Sequence, residues 1–321
     1  MKKLFVALLL LLAVFHSDVQ AAKLNPALYP GARSAEVNEP VMPVIPSVDK
    51  ALADMPQAYR QKVKGGYCHA GTSKATVSVC KYGMIEGYDY TLAIIGDSHA
   101  GQWLGAVQEF ANKNKIRIVY ATKSACALTT DVFTNYANDK NNNTCTLWNK
   151  SIIPTIARYK PDLVLTKADS NSGAHPGTLS QGFINKYNEL KARNIEVFAI
   201  RDTPYFHIKE TPTSRDMFLP ACVDKYGRNS SKCRVSRKTV LPTSTDWTKL
   251  ANKPSNVHYI DYSRKICGYT YCYPVKGNVM IIRDQHHLTD SFARTFSTYI
   301  ERDMMPILRE VRAKKLAAAT P

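Results

Sequence analysis

The sequence predicts an α/β fold: a doubly wound, mostly parallel five-stranded sheet with helices on both faces. Three observations carry that prediction. From Thr91 onward, short apolar runs of strand length alternate with amphipathic stretches. The intervals between runs are long enough for helical crossovers, which parallel strands need and which are right-handed. The first run, Thr91-Leu92-Ala93-Ile94-Ile95, stops at Gly96-Asp97-Ser98-His99, and a helix-like stretch follows at once. In doubly wound sheets, ligands sit outside the carboxyl ends of the strands.

The elements follow in order. Met1-Lys2-Lys3 is a basic start, Leu4 to Phe15 an apolar run too short for a membrane span, and Val19-Gln20-Ala21 fits a small-x-small cleavage site. Residues 1–21 are therefore read as a cleaved signal peptide, and the mature chain as exported and soluble, periplasmic or secreted. Residues 22–90 form an N-terminal extension. It opens with a proline-rich tether, continues with helical spacing from Val48 to Lys64 (Leu52, Met55 and Tyr59 on one side), and ends in a surface loop from Cys68 to Cys80. The expected strands are Leu92–Ile95, Arg117–Ala121, Asp162–Thr166, Glu196–Ile200 and Val257–Asp261. The expected helices are Gln102–Lys113, Leu147–Tyr159, Phe183–Arg193 and Asp290–Lys315. A long loop, Thr122 to Thr144, follows the second strand. Periodicity fades over 211–253, an insertion in a domain spanning 91–315, and residues 316–321 are a tail. Asn278–Ile282 reads as a further strand or hairpin.

Composition narrows the function. Lys and Arg number 43 against 26 Asp and Glu, a formal charge of +17. That favours anionic surroundings, such as acidic glycans or lipid headgroups. Export argues against nucleic acid as the partner. The eight cysteines fall as four sequential close pairs, and we expect Cys68–Cys80, Cys126–Cys145, Cys222–Cys233 and Cys267–Cys272 as disulfides. None of these pairs has the CxxC-type spacing of a zinc site, so no metal or other cofactor is expected.

Ser98 sits where such folds present a nucleophile. A serine hydroxyl needs a base, and the base an orienting acid. Asp284-Gln285-His286-His287-Leu288-Thr289, directly before the last helix, supplies both. The Asp-x-x-His spacing favours His287 over His286 as the base. Asp97 is expected to shape the turn, His99 to line the pocket, and Lys167, Arg201 and Arg283 to lie near the rim, as solvated charges by default or as contacts for anionic glycan.

Gly96-Asp97-Ser98 near the start, with Asp284-x-x-His287 near the end, resembles the SGNH hydrolases, or GDSL-type esterases. The Gly-Asp-Ser-His form is similar to one branch: SGNH domains fused to, or partnering, membrane acyltransferases that O-acetylate envelope glycans. Lys123-Ser124-Ala125-Cys126, Pro161-Asp162-Leu163-Val164 and the Cys267–Cys272 pair ahead of Asp-x-x-His-Leu-Thr extend the likeness over Thr91 to Ile300. The resemblance implies a flavodoxin-like SGNH fold, with Ser98 as nucleophile, His287 as base and Asp284 as its partner. It also implies an oxyanion hole from the Ser98 N–H, the second-strand loop (Ser124 and Ala125, where the family has glycine) and Asn171 after the third strand. The implied activity is serine-dependent O-acetyl transfer or ester hydrolysis on envelope glycan. A separate integral-membrane acyltransferase would supply the acetyl group. The residues do not separate transferase from esterase. The reading from another class is a non-catalytic glycan-binding or envelope-assembly protein on a degenerate scaffold of this type.

Overall fold

The structure is a computed structural model describing residues 25–37, 40–132, 139–168, 179–211, 213–241 and 253–319. The signal-peptide segment, Asn171 and the end of the 211–253 insertion lie outside the described residues.

The central element is β3 (Tyr90–Gly96), whose residues Leu92 to Ile95 are all fully buried. Side chains alternate across a strand. Leu92 and Ile94 therefore enter one core, with Trp103, Leu104, Phe110, Phe292 and Phe296. Ala93 and Ile95 enter the other, with Trp148, Ile152, Phe183 and Tyr187. Full burial on both faces is the mark of a parallel strand covered by helices. Each large aliphatic side chain so buried contributes about 1.5–3 kcal/mol.

β3 pairs in parallel with β4 (Ile116–Lys123) on one side and β5 (Leu163–Lys167) on the other. The sheet continues in parallel through β6 (Glu196–Ile200) to β7 (Val257–Ile260). In space the five expected strands run β4-β3-β5-β6-β7. The chain reverses direction across the sheet at β3, so the crevice beside Ser98 is a topological switch point.

Two further strands lengthen the sheet beyond the five expected. β1 (His69–Ala70) pairs in parallel with Thr122–Lys123, and β2 (Cys80–Gly83) is antiparallel to Arg117–Tyr120. The segment expected as a stapled surface loop thus closes the outer edge of β4, with the Cys68–Cys80 disulfide tying its two strands together. Both strands are too short to show periodicity in sequence. The other three disulfides join the expected partners.

The helices depart from expectation in several places. After β3 come α1 (Ser98–Gly101) and α2 (Leu104–Ala111), separated at Gln102 and Trp103. The next helix, α3 (Asp139–Ala157), begins well inside the expected loop and contains Pro154. α4 (Gln181–Lys191) lies as expected. The insertion contributes α5 (Leu219–Tyr226), pinned by Cys222–Cys233. The last helix is two, α6 (Asp290–Arg294) and α7 (Ser297–Ala319). The Thr295 hydroxyl between them donates to Phe292 O and accepts from the Ala32 N–H, which seats the N-terminal segment there. The helix expected from Val48 to Lys64 is absent. One turn at Val48–Ala51 gives way to a 3₁₀ turn at Gln57–Tyr59 and a two-residue hairpin, Lys62–Val63 with Gly66–Tyr67. Pro56 lacks an N–H and disfavours the helical conformation at the residue before it, so a continuous helix cannot pass.

Val275–Lys276 and Val279–Met280 form the hairpin expected near Asn278. Its turn residues, Gly277 and Asn278, both have positive φ (55° and 60°), as a tight hairpin turn requires. No helix among the described residues is long and apolar enough to cross a membrane.

Candidate active site

β3 ends at Gly96, whose φ of +124° side chains rarely adopt. A Cβ there would sit 3.0 Å from Thr166 Oγ1 and 3.2 Å from Ala100 Cβ, so the turn demands glycine. Asp97 caps the following turn: its Oδ1 accepts from the N–H groups of His99 (3.0 Å) and Ala100 (3.2 Å). Asp97 therefore shapes the turn, as expected, and Ser98 is the first residue of α1. The Ser98 carbonyl accepts from Tyr59 OH at 2.7 Å and from the Gln102 N–H at 2.9 Å. Both contacts fix the backbone that carries the hydroxyl.

The opposing residues come from the loop between Ile282 and Leu288, which bridge each other across its base. Arg283 N–H donates to His287 O at 2.9 Å, and Leu288 N–H to Gln102 Oε1 at 2.8 Å, so the loop is tied to the start of the helical segment after β3. Asp284 Oδ1 accepts from three successive N–H groups, those of Gln285 (2.7 Å), His286 (2.9 Å) and His287 (2.9 Å). Its Oδ2 faces His287 Nδ1 at 2.7 Å, and His287 Nε2 faces Ser98 Oγ at 2.8 Å.

Burial alone would raise the Asp284 pKa. The hydrogen bond and charge of His287, together with the Arg283 guanidinium, reverse this and hold the carboxyl well below its usual range. Burial lowers the pKa of His287 below that of a free histidine, more than Asp284 raises it. At neutral pH His287 is thus uncharged. Asp284 accepts from Nδ1–H, and the Nε2 lone pair is left for the Ser98 O–H.

Behind this trio lies a buried network that the sequence does not announce. His99 Nδ1 lies 2.6 Å from Asp202 Oδ1, and His99 Nε2 lies 2.8 Å from His286 Nδ1. Lys167 Nζ is 2.7 Å from Asp97 Oδ2 and 3.5 Å from Asp202 Oδ2. Burial would discharge this lysine, but the Asp202 and Asp97 carboxylates outweigh it and push its pKa well up. Lys167 is therefore no solvated rim charge. The other two expected on the rim are also buried: Arg201 pairs with Asp261 at 2.9 Å, and Arg283 lies beside Asp284 at 3.5 Å.

The second-strand loop divides the expected oxyanion donors. The Ser124 N–H donates to Ala70 O at 2.8 Å, and its hydroxyl meets His69 Nε2 at 2.8 Å, so this amide is occupied. Ala125 takes the left-handed conformation, φ +52°. Asn171 lies outside the described residues. His69, from the N-terminal extension, stacks on Tyr59 with ring centroids 4.1 Å apart and hydrogen-bonds Thr122 Oγ1 at 2.7 Å. Burial pushes its pKa down to about 3, so it serves as a neutral strut beneath the Ser98 turn. Nothing in the sequence around Tyr59 or His69 signals this role.

His99, His286 and His287 can each place a nitrogen within 4.8 Å of the others, a grouping that could hold a metal ion. Five of their six ring nitrogens already have protein hydrogen-bond partners.

A doubly wound sheet with a serine after its central strand, faced by an Asp-x-x-His loop before the C-terminal helices, defines an SGNH-type α/β domain. Residues 67–302 match the family model described as the SGNH domain (fused to AT3 domains), and the chain belongs to that family. Among solved structures, the chain is similar to the periplasmic domain of a lipopolysaccharide acetyltransferase from Salmonella ser. Paratyphi A. The identity is 17%, over 69% of this chain and 86% of that one, with a TM-score of 0.47. No curated protein sequence matches the chain.

Proposed function

We propose that this protein is an exported, serine-dependent O-acyl enzyme, an acetyltransferase or acetylesterase acting on cell-envelope glycan through an acyl-enzyme at Ser98. The observation that carries the reading is the continuous line Asp284 Oδ2–His287 Nδ1 (2.7 Å) and His287 Nε2–Ser98 Oγ (2.8 Å). Ser98 Oγ attacks the acyl carbonyl carbon while His287 Nε2 takes its proton. The proton then passes to the leaving oxygen as the acyl–oxygen bond breaks. A sugar hydroxyl or water attacks the Ser98 ester in the second half, and His287 again takes the proton and returns it to Ser98 Oγ. The developing oxyanion is received by the N–H groups of Ser98 and Ala125.

Export is supported by the N-terminal signal pattern and by the four disulfides, which persist in oxidising compartments. The family's fusion to AT3 domains supports a membrane acyltransferase as the source of the acetyl group. Turnover of p-nitrophenyl acetate by wild type and Ser98→Ala tests the reading. Loss of a triad member removes at least about 10³-fold in kcat. Equal turnover by both proteins overturns it in favour of a non-catalytic scaffold.

A further inference from the structure

Next to the Asp284–His287–Ser98 line runs a second carboxylate–imidazole line that ends without a substrate group: Asp202 Oδ1 to His99 Nδ1 at 2.6 Å, then His99 Nε2 to His286 Nδ1 at 2.8 Å. Its proton positions are dictated by its partners. The Thr203 hydroxyl donates to His286 O at 3.1 Å, so its oxygen can only accept from His99 Nδ1, 3.0 Å away. The Asp202 carboxylate likewise accepts from that nitrogen. With His99 as the neutral ring, its Nε2 is then the lone pair and accepts from His286 Nδ1–H. His286 is left in one tautomer, with its Nε2 an acceptor.

The His286 ring is half-buried, and its Nε2 has no hydrogen-bond partner among the described residues. Tyr205 stacks on one side at 4.6 Å between centroids, and His287 lies 4.0 Å away on the loop that serves Ser98. Turning the ring would break its hydrogen bond to His99 Nε2. Burial, the largest cause, pushes the pKa of His286 down to about 3. It accepts hydrogen bonds across the working pH range but is too weakly basic to take a proton from an alcohol.

We propose that His286 Nε2 is the acceptor of an acyl-acceptor subsite that selects vicinal diols: one sugar hydroxyl attacks the acyl-enzyme, and its neighbour donates a hydrogen bond to His286. The inference rests on the Ser98 acyl-enzyme reading. In the step, the attacking oxygen bonds to the acyl carbon and the acyl–Ser98 Oγ bond breaks. The attacking hydroxyl's proton goes to His287 Nε2 and on to Ser98 Oγ, while the second hydroxyl keeps its proton. His286 is thus a specificity-determining residue, distinct from the base beside it.

The test uses the purified protein with p-nitrophenyl acetate as donor and two acceptors, ethane-1,2-diol and 2-methoxyethanol, whose second oxygen is capped and cannot donate. Ester product and hydrolysed acetate are measured for wild type, His286→Phe and His286→Gln. Wild type is expected to favour the diol, per hydroxyl, by about fivefold to tenfold, the worth of one neutral hydrogen bond. His286→Phe, which keeps a ring against Tyr205, loses that preference, and His286→Gln, which retains an acceptor oxygen, recovers part of it. A merely structural role would lower both products together and leave their ratio alone. An unchanged diol preference in His286→Phe, or a wild type that forms ester with neither alcohol, overturns the inference while Ser98-dependent p-nitrophenol release still supports the acyl-enzyme. If release does not depend on Ser98, both readings fall.

Discussion

Replacing Asp284 with asparagine separates the catalytic from the structural duty of this side chain. Its two oxygens have different partners. Oδ1 accepts from three backbone N–H groups and holds the loop, while Oδ2 accepts from His287 Nδ1–H. Asparagine can keep its carbonyl oxygen towards the three amides, so the loop stays folded. Its NH₂ group then faces His287 Nδ1, where a donor meets a donor. The imidazole escapes by moving its proton to Nε2, and the nitrogen 2.8 Å from Ser98 Oγ becomes a donor that cannot take the serine proton. The corresponding tautomer error costs about 10⁴-fold in kcat in serine proteases, and a loss of about 10³–10⁴ is expected here. Loss of the carboxylate also removes what raises the His287 pKa, so the acid limb of the kcat/KM profile moves to lower pH. The assay is p-nitrophenyl acetate turnover across pH, with thermal unfolding as control. Activity within tenfold of wild type, in a variant with unchanged unfolding temperature, would refute the assignment of Asp284 as the orienting acid.

Other consequences follow from the same site. Lys167→Met leaves the buried carboxylates of Asp97 and Asp202 without their shared cation, and urea unfolding should show a loss of about 3–5 kcal/mol. Gly96→Ala forces a Cβ to 3.0 Å from Thr166 Oγ1 at φ +124°, a strain of about 1–3 kcal/mol read in the same experiment, with activity falling as the Ser98 turn shifts. His69 and His286 titrate near pH 3 when folded and near 6.5 when unfolded. The unfolded chain then binds more protons below pH 6.5, so stability falls as pH drops from about 6.5 towards 3. The loss is on the order of 2–3 kcal/mol per histidine by pH 4.5. Urea midpoints that stay flat from pH 7 to pH 4.5 would contradict the neutral, buried state of these rings.

The parts of this molecule legible in sequence are those specified locally. Four of the five expected strands show because each is a short apolar run that is almost wholly buried in the folded chain, whereas β7 at the edge is only half-buried beyond Val257. The trio shows because Gly96-Asp97-Ser98 and Asp284-x-x-His287 are each compact motifs. His99 and Asp202, by contrast, meet across 103 residues, and neither lies in a pattern that marks its partner. Lys167 looks like any strand-end lysine until Asp97 and Asp202 converge on it. The edge strand His69–Ala70 has two residues, and only pairing with Thr122–Lys123 makes it a strand. The start of α3 at Asp139 hides in an Asn- and Lys-rich stretch of low helix propensity, where tertiary context overrides composition. The engagement of the Ser124 amide by Ala70 O likewise depends on that edge strand.

In the proposed mechanism Ser98 carries the acyl group. The most direct measurement is mass spectrometry of protein acid-quenched during turnover of p-nitrophenyl acetate, with the modified peptide sequenced. An acetyl group is expected on Ser98 in wild type, with accumulation of that species when His287→Ala slows its breakdown more than its formation, and no acetylation at this position in Ser98→Ala. Continued turnover with no acetyl on Ser98, or acetylation of another residue at the rate of turnover, would contradict it.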